Sequence, residues 1–234
     1  MAAPLPSPAP AAAPAPPAAV APAAAPPGFY DWRAMFPHLA FVADAWRDVR
    51  DELAAVPPAA WREWPERTLY RAEAGHDWRV LPFCYTFPGD DPSRTTFIAS
   101  ALAACPRTAA LLRRLGGELR TALCSRLAPH TFLASHSGWA ELSNHVLRVH
   151  LPVDVPDDAL NVSGVIVGEE IRFHRNGEPL VFDDSLVHSA FNQHQTRHRT
   201  VLILDLARPP GAAPGSATGG STRELEEFIQ SYFH

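Results

Sequence analysis

Residues 180–206 read LVFDDSLVHSAFNQHQTRHRTVLILDL, and this stretch decides the fold class. Three short runs of Val, Leu, Ile and Phe are separated by an Asp-Asp-Ser turn and by a polar stretch, which predicts strands joined by turns. Similar runs precede them, so the sequence predicts seven strands, at residues 131–134, 146–153, 164–167, 170–173, 180–182, 187–191 and 200–206. Short strands at this spacing are typical of a sandwich or a barrel.

The chain before these strands predicts helices. Apolar residues recur at 3, 4, 3, 4 spacing from Leu39 to Leu53, which predicts an amphipathic helix of about 17 residues that ends at Pro57. Further helices are predicted at 96–104 and at 106–115, the second opening with a proline and closing before two glycines. Helices followed by strands, without alternation, indicate an α+β fold with helices packed against one face of a sheet.

Both ends of the chain differ in composition from its centre. Residues 1–28 hold ten of the 25 prolines, many alanines and no charge, which predicts a disordered arm. The arm has neither the pattern of a secretory signal nor the arginines of a mitochondrial presequence, so the cytoplasm is favoured, and an unusual targeting peptide is the alternative. Residues 209–220 predict a flexible Pro/Gly/Ala/Ser linker, and a capping box from Ser221 to Glu224 predicts a short amphipathic helix after it. This helix either docks on its own domain or binds a partner.

Composition limits the class of protein. The chain has 234 residues, of which 47% are hydrophobic, and this length predicts one domain or at most two. A formal charge of −5 argues against nucleic acid as the main ligand, and no apolar run is long enough for a transmembrane helix. Cys84, Cys105 and Cys124 include no CxxC pair, so we expect reduced structural thiols.

Histidines in the strand region suggest a metal site. His136 and His188 are 52 residues apart, and a barrel would bring them together. Two histidines and one carboxylate hold non-haem Fe(II) in the facial triad, which leaves open positions for an oxoacid and dioxygen. The usual carboxylate lies two residues after the first histidine, where this chain has Gly138.

A set of motifs carries a family resemblance. They are Ser125-Arg126-Leu127-Ala128-Pro129, His136-Ser137-Gly138, Asn144, Leu147-Arg148-Val149-His150, Val181-Phe182-Asp183-Asp184-Ser185-Leu186-Val187-His188 and Arg199-Thr200-Val201-Leu202-Ile203-Leu204-Asp205. With them the chain resembles the aspartyl/asparaginyl β-hydroxylase family of Fe(II)- and 2-oxoglutarate-dependent dioxygenases, which has His-x-Gly in place of His-x-Asp. The resemblance implies a double-stranded β-helix (jelly-roll, cupin-like) core with an N-terminal helical layer, in a dioxygenase domain at residues 29–208.

The resemblance also implies residue roles. It makes His136 and His188 the iron ligands. It assigns Arg199, assisted by the Ser125 hydroxyl, to the distal carboxylate of 2-oxoglutarate, and Arg148 and His150 to the carboxylate beside the keto group.

The residues themselves give physical reasons for two of these roles. A guanidinium offers two parallel donors to a carboxylate, although Arg199 also stands next to Arg197, where a surface pair is the alternative. Arg148 lies in an otherwise apolar strand, where a buried charge needs a partner that a bound anion would supply. Asp183 and Asp184 are expected to bond nearby backbone amides and to support the ligands rather than to bind metal.

The implied reaction is hydroxylation of an unactivated carbon, with Fe(II), 2-oxoglutarate and O₂ as cofactor and cosubstrates. The β-carbon of Asp or Asn in a peptide or protein is one target, but relatives also act on free amino acids and on lipid acyl chains. The oligomeric state stays open. One alternative is a catalytically inactive cupin-like protein in which His136, His150 and His188 hold a metal such as zinc. Another is halogenation, in which a halide takes the open position beside Gly138.

Four positions depart from the family pattern. Residues 139–143 form a stretch about two residues longer than is usual there. Pro152 and His130 stand where glycine is frequent, and Ile166 stands where many members carry arginine. The longer stretch at 139–143, Pro152 and Ile166 bear on the identity of the substrate.

Overall fold

The computed structural model describes residues 26–70, 77–156 and 158–232, so most of the predicted arm at 1–28 lies outside the described residues. Within these ranges there are seven α-helices: α1 (Trp32–Met35), α2 (Ala40–Asp44), α3 (Trp46–Ala55), α4 (Ala99–Ala104), α5 (Pro106–Leu115), α6 (Ala140–Ser143) and α7 (Arg223–Gln230). The same ranges contain twelve strands: β1 (Phe29–Tyr30), β2 (Arg62–Glu63), β3 (Trp78–Tyr85), β4 (Thr96–Phe97), β5 (Leu119–Leu127), β6 (Thr131–Phe132), β7 (Val146–Asp154), β8 (Ser163–Val167), β9 (Glu170–Phe173), β10 (Leu180–Phe182), β11 (His188–Asn192) and β12 (Arg199–Ala207).

The strands form two antiparallel sheets. The larger sheet has the order β1-β10-β7-β12-β5-β3-β2, with β4 paired to β3, and the smaller has the order β6-β11-β8-β9. Apolar side chains from both sheets pack together in one cluster, so the sheets face each other. The fold is a jelly-roll with an N-terminal helical layer, which confirms the predicted fold class.

The larger sheet has two different faces because alternate residues of a strand point to opposite sides. On β7, Val149 and Leu151 pack with α3 and α5 residues such as Leu53 in the main hydrophobic core. Arg148 and His150, between them in sequence, point to the other side, towards the smaller sheet. Helices therefore cover one face, and polar residues of the candidate site lie on the other.

Three sequence predictions about the first half need correction. The helix predicted over 39–55 is divided at Ala45 into α2 and α3, and the region 96–104 begins as strand β4 before α4. The largest difference is that β3 and β5 lie inside the larger sheet, where no strand was predicted. Both faces of these strands are buried, so they lack the alternation of a half-exposed strand. Pro82 also argues against a strand in the sequence, because proline cannot donate a hydrogen bond to a neighbouring strand. The β3–β5 pairing accommodates Pro82 at a register shift between Pro82 and Cys84.

Other predictions about elements hold. Helix α5 has the predicted bounds, and the seven predicted strands appear with ends moved by up to two residues. The three cysteines are buried free thiols, as expected. In the described ranges, every helix is too short or too polar to cross a membrane.

The C-terminal segment has defined contacts with the barrel. Residues 209–220, predicted as a flexible linker, form neither helix nor strand, yet the Asn144 side chain exchanges hydrogen bonds of 3.0 and 2.8 Å with the backbone of Ala217. A Cβ at Gly215 would lie 2.3 Å from the Asn144 Cα, so this close approach requires glycine. Helix α7 follows, capped by the Thr222 hydroxyl rather than by Ser221, and its Leu225 is buried.

Candidate active site

The two predicted iron ligands lie side by side. His136 and His188 exchange backbone hydrogen bonds of 2.9 and 2.8 Å, and their ring centroids are 4.4 Å apart. His188 begins β11 of the smaller sheet, and His136 forms a bridge to it. The barrel therefore brings together two histidines that are distant in sequence.

Both rings are oriented by hydrogen bonds to backbone carbonyls. Nδ1 of His136 lies 2.7 Å from the carbonyl oxygen of Ala134, and Nδ1 of His188 lies 2.9 Å from that of Leu186. A carbonyl only accepts, so each Nδ1 carries a proton, and in a neutral ring the lone pair then lies on Nε2. Burial is the main cause that lowers the pKa of His188, to about 3, which keeps its ring neutral. Neutral imidazoles with free Nε2 atoms are metal ligands.

Asp184 occupies the space beside Gly138. A Cβ added at Gly138 would lie 2.0 Å from Oδ2 of Asp184, so this carboxylate takes the volume that a side chain at position 138 would need. Oδ1 of Asp184 lies 3.3 Å from Nε2 of His188. A lone pair of a neutral imidazole thus faces a carboxylate, an arrangement that a bound cation would stabilise.

Arg148 has partners that the sequence did not indicate. Its Nε and Nη2 donate to the two carboxylate oxygens of Asp205 at 2.7 and 3.0 Å, and its Nη1 donates to Asp184. Burial alone would lower the pKa of Arg148, but the two carboxylates raise it above its ordinary value. The expectation that Arg148 needs a bound anion for lack of a partner is therefore wrong. Its assignment to a carboxylate of the cosubstrate stays a prediction.

Asp183, the first acidic residue of the motif, bonds a nearby backbone amide as predicted. Asp183 accepts hydrogen bonds from the backbone amide and the hydroxyl of Ser185, at 3.0 and 2.6 Å. It also pairs with Arg208. The turn between β10 and β11 is thereby fixed, and with it the position of Asp184.

Arg199 is buried without an acidic partner. Its side chain is 1% exposed, and its Nε and Nη1 have no hydrogen-bond partner among the described residues. Burial lowers the pKa of Arg199 to about 9. The alternative of a surface pair next to Arg197 is wrong, because the side chain enters the barrel. An unpartnered buried cation fits a bound anion.

The two remaining predicted residues lie on the same face of the larger sheet. Ser125 lies opposite Val201 on β12, two residues from Arg199, and its hydroxyl accepts a hydrogen bond of 3.0 Å from the Trp78 indole. His150 is 4% exposed, and its ring packs edge-on against Phe182 at 5.0 Å. Phe182 in turn contacts the ring of His188, 5.5 Å away.

The structure adds His174, which the sequence reasoning missed. It is fully buried, and its Nε2 lies 3.3 Å from Nδ1 of His150. A single histidine after a short strand carries no sequence feature that predicts this contact. Across the described ranges, no three His, Cys, Asp or Glu side chains have the geometry of a metal site. In the described residues nothing supports the alternative in which His136, His150 and His188 together hold zinc, and it stays a prediction.

A cavity of about 690 Å³ opens beside the histidine pair, with His136, Gly138, Arg148 and Asp184 in its lining. Indole rings form one wall: Trp64 stacks on Trp78 at 4.6 Å and on Trp139 at 6.0 Å. The remaining apolar lining includes side chains from β3, β5, β12 and α7, namely Val80, Leu123, Ile203, Leu225, Phe228 and Ile229.

Two departures from the family pattern now have a structural context. The long stretch at 139–143 contains α6 and places Trp139 in the cavity wall. His130 adopts a φ of 54°, a backbone conformation that favours glycine, which fits the frequent glycine at this position.

Comparison with known proteins assigns the family. The sequence profile described as aspartyl/asparaginyl β-hydroxylase matches residues 43–209, and the chain belongs to this family. An ornithine lipid ester-linked acyl 2-hydroxylase of Rhizobium tropici is 34% identical over 108 residues, 46% of this chain and 36% of that protein. Aspartate beta-hydroxylase domain-containing protein 2 of Mus musculus is 32% identical over 163 residues, 62% of this chain and 44% of that protein.

These matches span less than half the length of either relative. Among solved structures, an oxidoreductase of the 2OG-Fe(II) oxygenase family from Burkholderia pseudomallei is similar with a TM-score of 0.48 and 17% identity. That similarity covers 76% of this chain and 82% of the other.

Proposed function

We propose that this chain is an Fe(II)- and 2-oxoglutarate-dependent dioxygenase that hydroxylates an unactivated carbon. Iron with 2-oxoglutarate supplies oxidative decarboxylation to succinate and CO₂, coupled to transfer of an oxygen atom from O₂ into a C–H bond. The observation that carries this proposal is a pair of adjacent histidines whose Nδ1 atoms bond backbone carbonyls, in a barrel that also buries Arg199 with no partner for its Nε and Nη1 among the described residues.

Each part of the site has a role in this reaction. His136 and His188 would hold the iron, and Asp184 would place a negative charge next to them. Arg199 would bind the distal carboxylate of 2-oxoglutarate, and a bidentate pair would neutralise its buried charge. Arg148, through its ion pairs, keeps Asp184 and Asp205 in place at the edge of the cavity.

The test is succinate formation from 2-oxoglutarate under air with ferrous iron. We expect His136→Ala and His188→Ala each to abolish iron retention and turnover, because one remaining histidine does not hold Fe(II) against water. His145→Ala is the matched control, since His145 is exposed and its variant should behave like the wild type. Wild-type turnover in either ligand variant would exclude the proposed site.

The substrate would enter the cavity. The family name points to the β-carbon of Asp or Asn, whereas one relative is named for an acyl chain of ornithine lipid. A substrate carboxylate would need a free cation, but of the two arginines in the described lining Arg148 is already paired and Arg94 lies at the exposed edge. The indole stack and the aliphatic side chains favour an apolar chain. Product analysis with acyl lipids and with Asp- or Asn-containing peptides distinguishes the two classes.

A further inference from the structure

His174 is a buried polar residue that the reaction above does not use. It follows β9, and its backbone amide donates to the carbonyl of Ser163 at 3.0 Å. Its Nδ1 lies 3.4 Å from the Ser163 hydroxyl, and its Nε2 lies 3.3 Å from Nδ1 of His150. Ser163, His174 and His150 thus form a line of side chains that are all at most 4% exposed.

Both imidazoles in this line are neutral. Burial is the main cause that lowers the pKa of His150 and of His174, and the positive charge of Arg199 lowers both further. A neutral imidazole has one N–H donor and one acceptor nitrogen. The contact between His150 and His174 therefore needs one ring to donate and the other to accept.

Only one direction of hydrogen-bond donation along Ser163, His174 and His150 suits a bound anion. For His150 to donate from Nε2 to a carboxylate, its Nδ1 must accept. Nε2 of His174 must then donate, which leaves Nδ1 of His174 to accept from the Ser163 hydroxyl. With the direction reversed, His150 would present a lone pair to the anion, and the two would repel each other.

We propose that His174 is a positioning residue that holds His150 in the Nε2–H tautomer, so that His150 donates a hydrogen bond to a carboxylate of 2-oxoglutarate. This inference rests on the proposed function. It deepens the cosubstrate site by a residue that does not itself touch the ligand.

Binding of 2-oxoglutarate to the Zn(II)-loaded protein, measured by calorimetry, tests the inference without turnover. His174→Leu removes both nitrogens and should weaken binding by roughly 10- to 100-fold, the effect expected for a hydrogen bond to a charged group. His174→Gln keeps an N–H near the position of Nε2 and should remain within about 3-fold of the wild type. Exposed His145→Leu is the control. Equal affinity of His174→Leu and the wild type would overturn the inference.

A second measurement does not depend on variants. Nitrogen-15 chemical shifts of the wild type with Zn(II) and 2-oxoglutarate should show His150 protonated at Nε2 and bare at Nδ1. The opposite tautomer would exclude the inference even if His174→Leu failed to fold. If the wild type did not bind 2-oxoglutarate, the proposed function itself would fail. Binding by the wild type with the wrong tautomer would exclude the role of His174 alone.

Discussion

Arg199 places a positive charge inside the barrel, and in the described residues no carboxylate pairs with it. Burial lowers the pKa of Arg199 to about 9. At every pH below that value, folding therefore buries a full positive charge, which destabilises the folded protein. The function proposed above explains why such a residue is present. It also predicts a conflict between stability and activity at this position.

Replacing Arg199 by Met should stabilise the ligand-free protein, because the unpartnered charge is removed and the chain volume is largely kept. We expect a gain of about 2 kcal/mol, or roughly 4–8 °C in Tm at neutral pH. Calorimetry of the ligand-free protein measures the shift. Arg197→Met, at an exposed pair with Asp154, is the control. A Tm lower than that of the wild type would mean that Arg199 has a partner in the folded protein.

Gly138 is a second position where the structure predicts a large effect, because there is no room for a Cβ atom. A Cβ there would meet Oδ2 of Asp184 at 2.0 Å and Cβ of Ser143 at 2.7 Å. Gly138→Ala should therefore displace Asp184, break its ion pair with Arg148, destabilise the fold by roughly 1–3 kcal/mol and reduce iron retention. Urea unfolding and iron content measure the two effects. Gly117→Ala is the control, since nothing lies within 4 Å of a Cβ there. Retention of iron and stability in Gly138→Ala would show that the Asp184 carboxylate does not occupy this space.

At the scale of elements, α3 supports the start of α5. The Glu52 carboxylate accepts hydrogen bonds from the backbone amides of Arg107 and Thr108, at 2.6 and 2.8 Å, and from the Thr108 hydroxyl at 2.7 Å. These amides have no partner within the helix, and a negative charge is favourable at a helix N-terminus. The Glu52 side chain of α3 thus acts as the N-cap of α5.

Glu52→Ala should lower the free energy of unfolding by about 2–3 kcal/mol, because buried amides lose a charged acceptor. Urea unfolding measures it. The neighbouring Asp51→Ala should change the free energy by less than about 0.5 kcal/mol, since among the described residues Asp51 pairs only with Arg50, at the surface. Equal effects of the two variants would show that the cap does not hold the α3–α5 contact together.

Helix α7 forms part of the cavity wall. Ile229 and Phe228 line it, and Arg62 lies 4.8 Å from the Phe228 ring and donates to Ser231 at 2.6 Å, which attaches the helix to β2. Ile229→Trp should shorten the cavity. We expect a loss of at least tenfold in kcat/KM for long acyl substrates and little change for short ones. Glu224→Gln, on the exposed side of α7, is the control. A uniform loss for all chain lengths would argue against an acyl substrate.

At the scale of the whole molecule, the two faces of the larger sheet have different roles. Its helix-covered face carries the main core, and the opposite face carries the site residues together with a smaller core shared between the sheets. Ligands that bind only the folded barrel add their binding free energy to its stability.

Zn(II) with 2-oxoglutarate at about 100 times its Kd should raise the unfolding free energy by about 2.7 kcal/mol, or roughly 5–10 °C in Tm. Thermal scans with and without 2-oxoglutarate measure the shift. Arg199→Met should lose the part of the shift that 2-oxoglutarate contributes and keep the part due to Zn(II). An equal shift in wild type and variant would place the anion away from Arg199.

Sequence patterns were sufficient to predict an element wherever a local repeat of apolar residues or a local end signal marks it. The strands of the second half alternate or form short apolar runs between turns, and α5 opens with Pro106 and ends before Gly116. The motifs around His136 and His188 also predict neighbouring residues that the fold brings together. By contrast, β3 and β5 could not be recognised, because burial on both faces removes the alternation that marks a strand.

The sequence by itself determined the short strands of the second half and helix α5, because these depend on residue type and on short-range periodicity. The family resemblance of its motifs added the predictions of a jelly-roll core, a histidine pair and two site arginines. Only the tertiary structure decided which polar groups meet. The partners Arg148 and Asp205 are 57 residues apart, Arg107 and Glu52 are 55 apart, and His174 and His150 are 24 apart. The register of antiparallel strands and the packing of helices set these pairs, and a buried charge or amide is stable only where such a partner arrives.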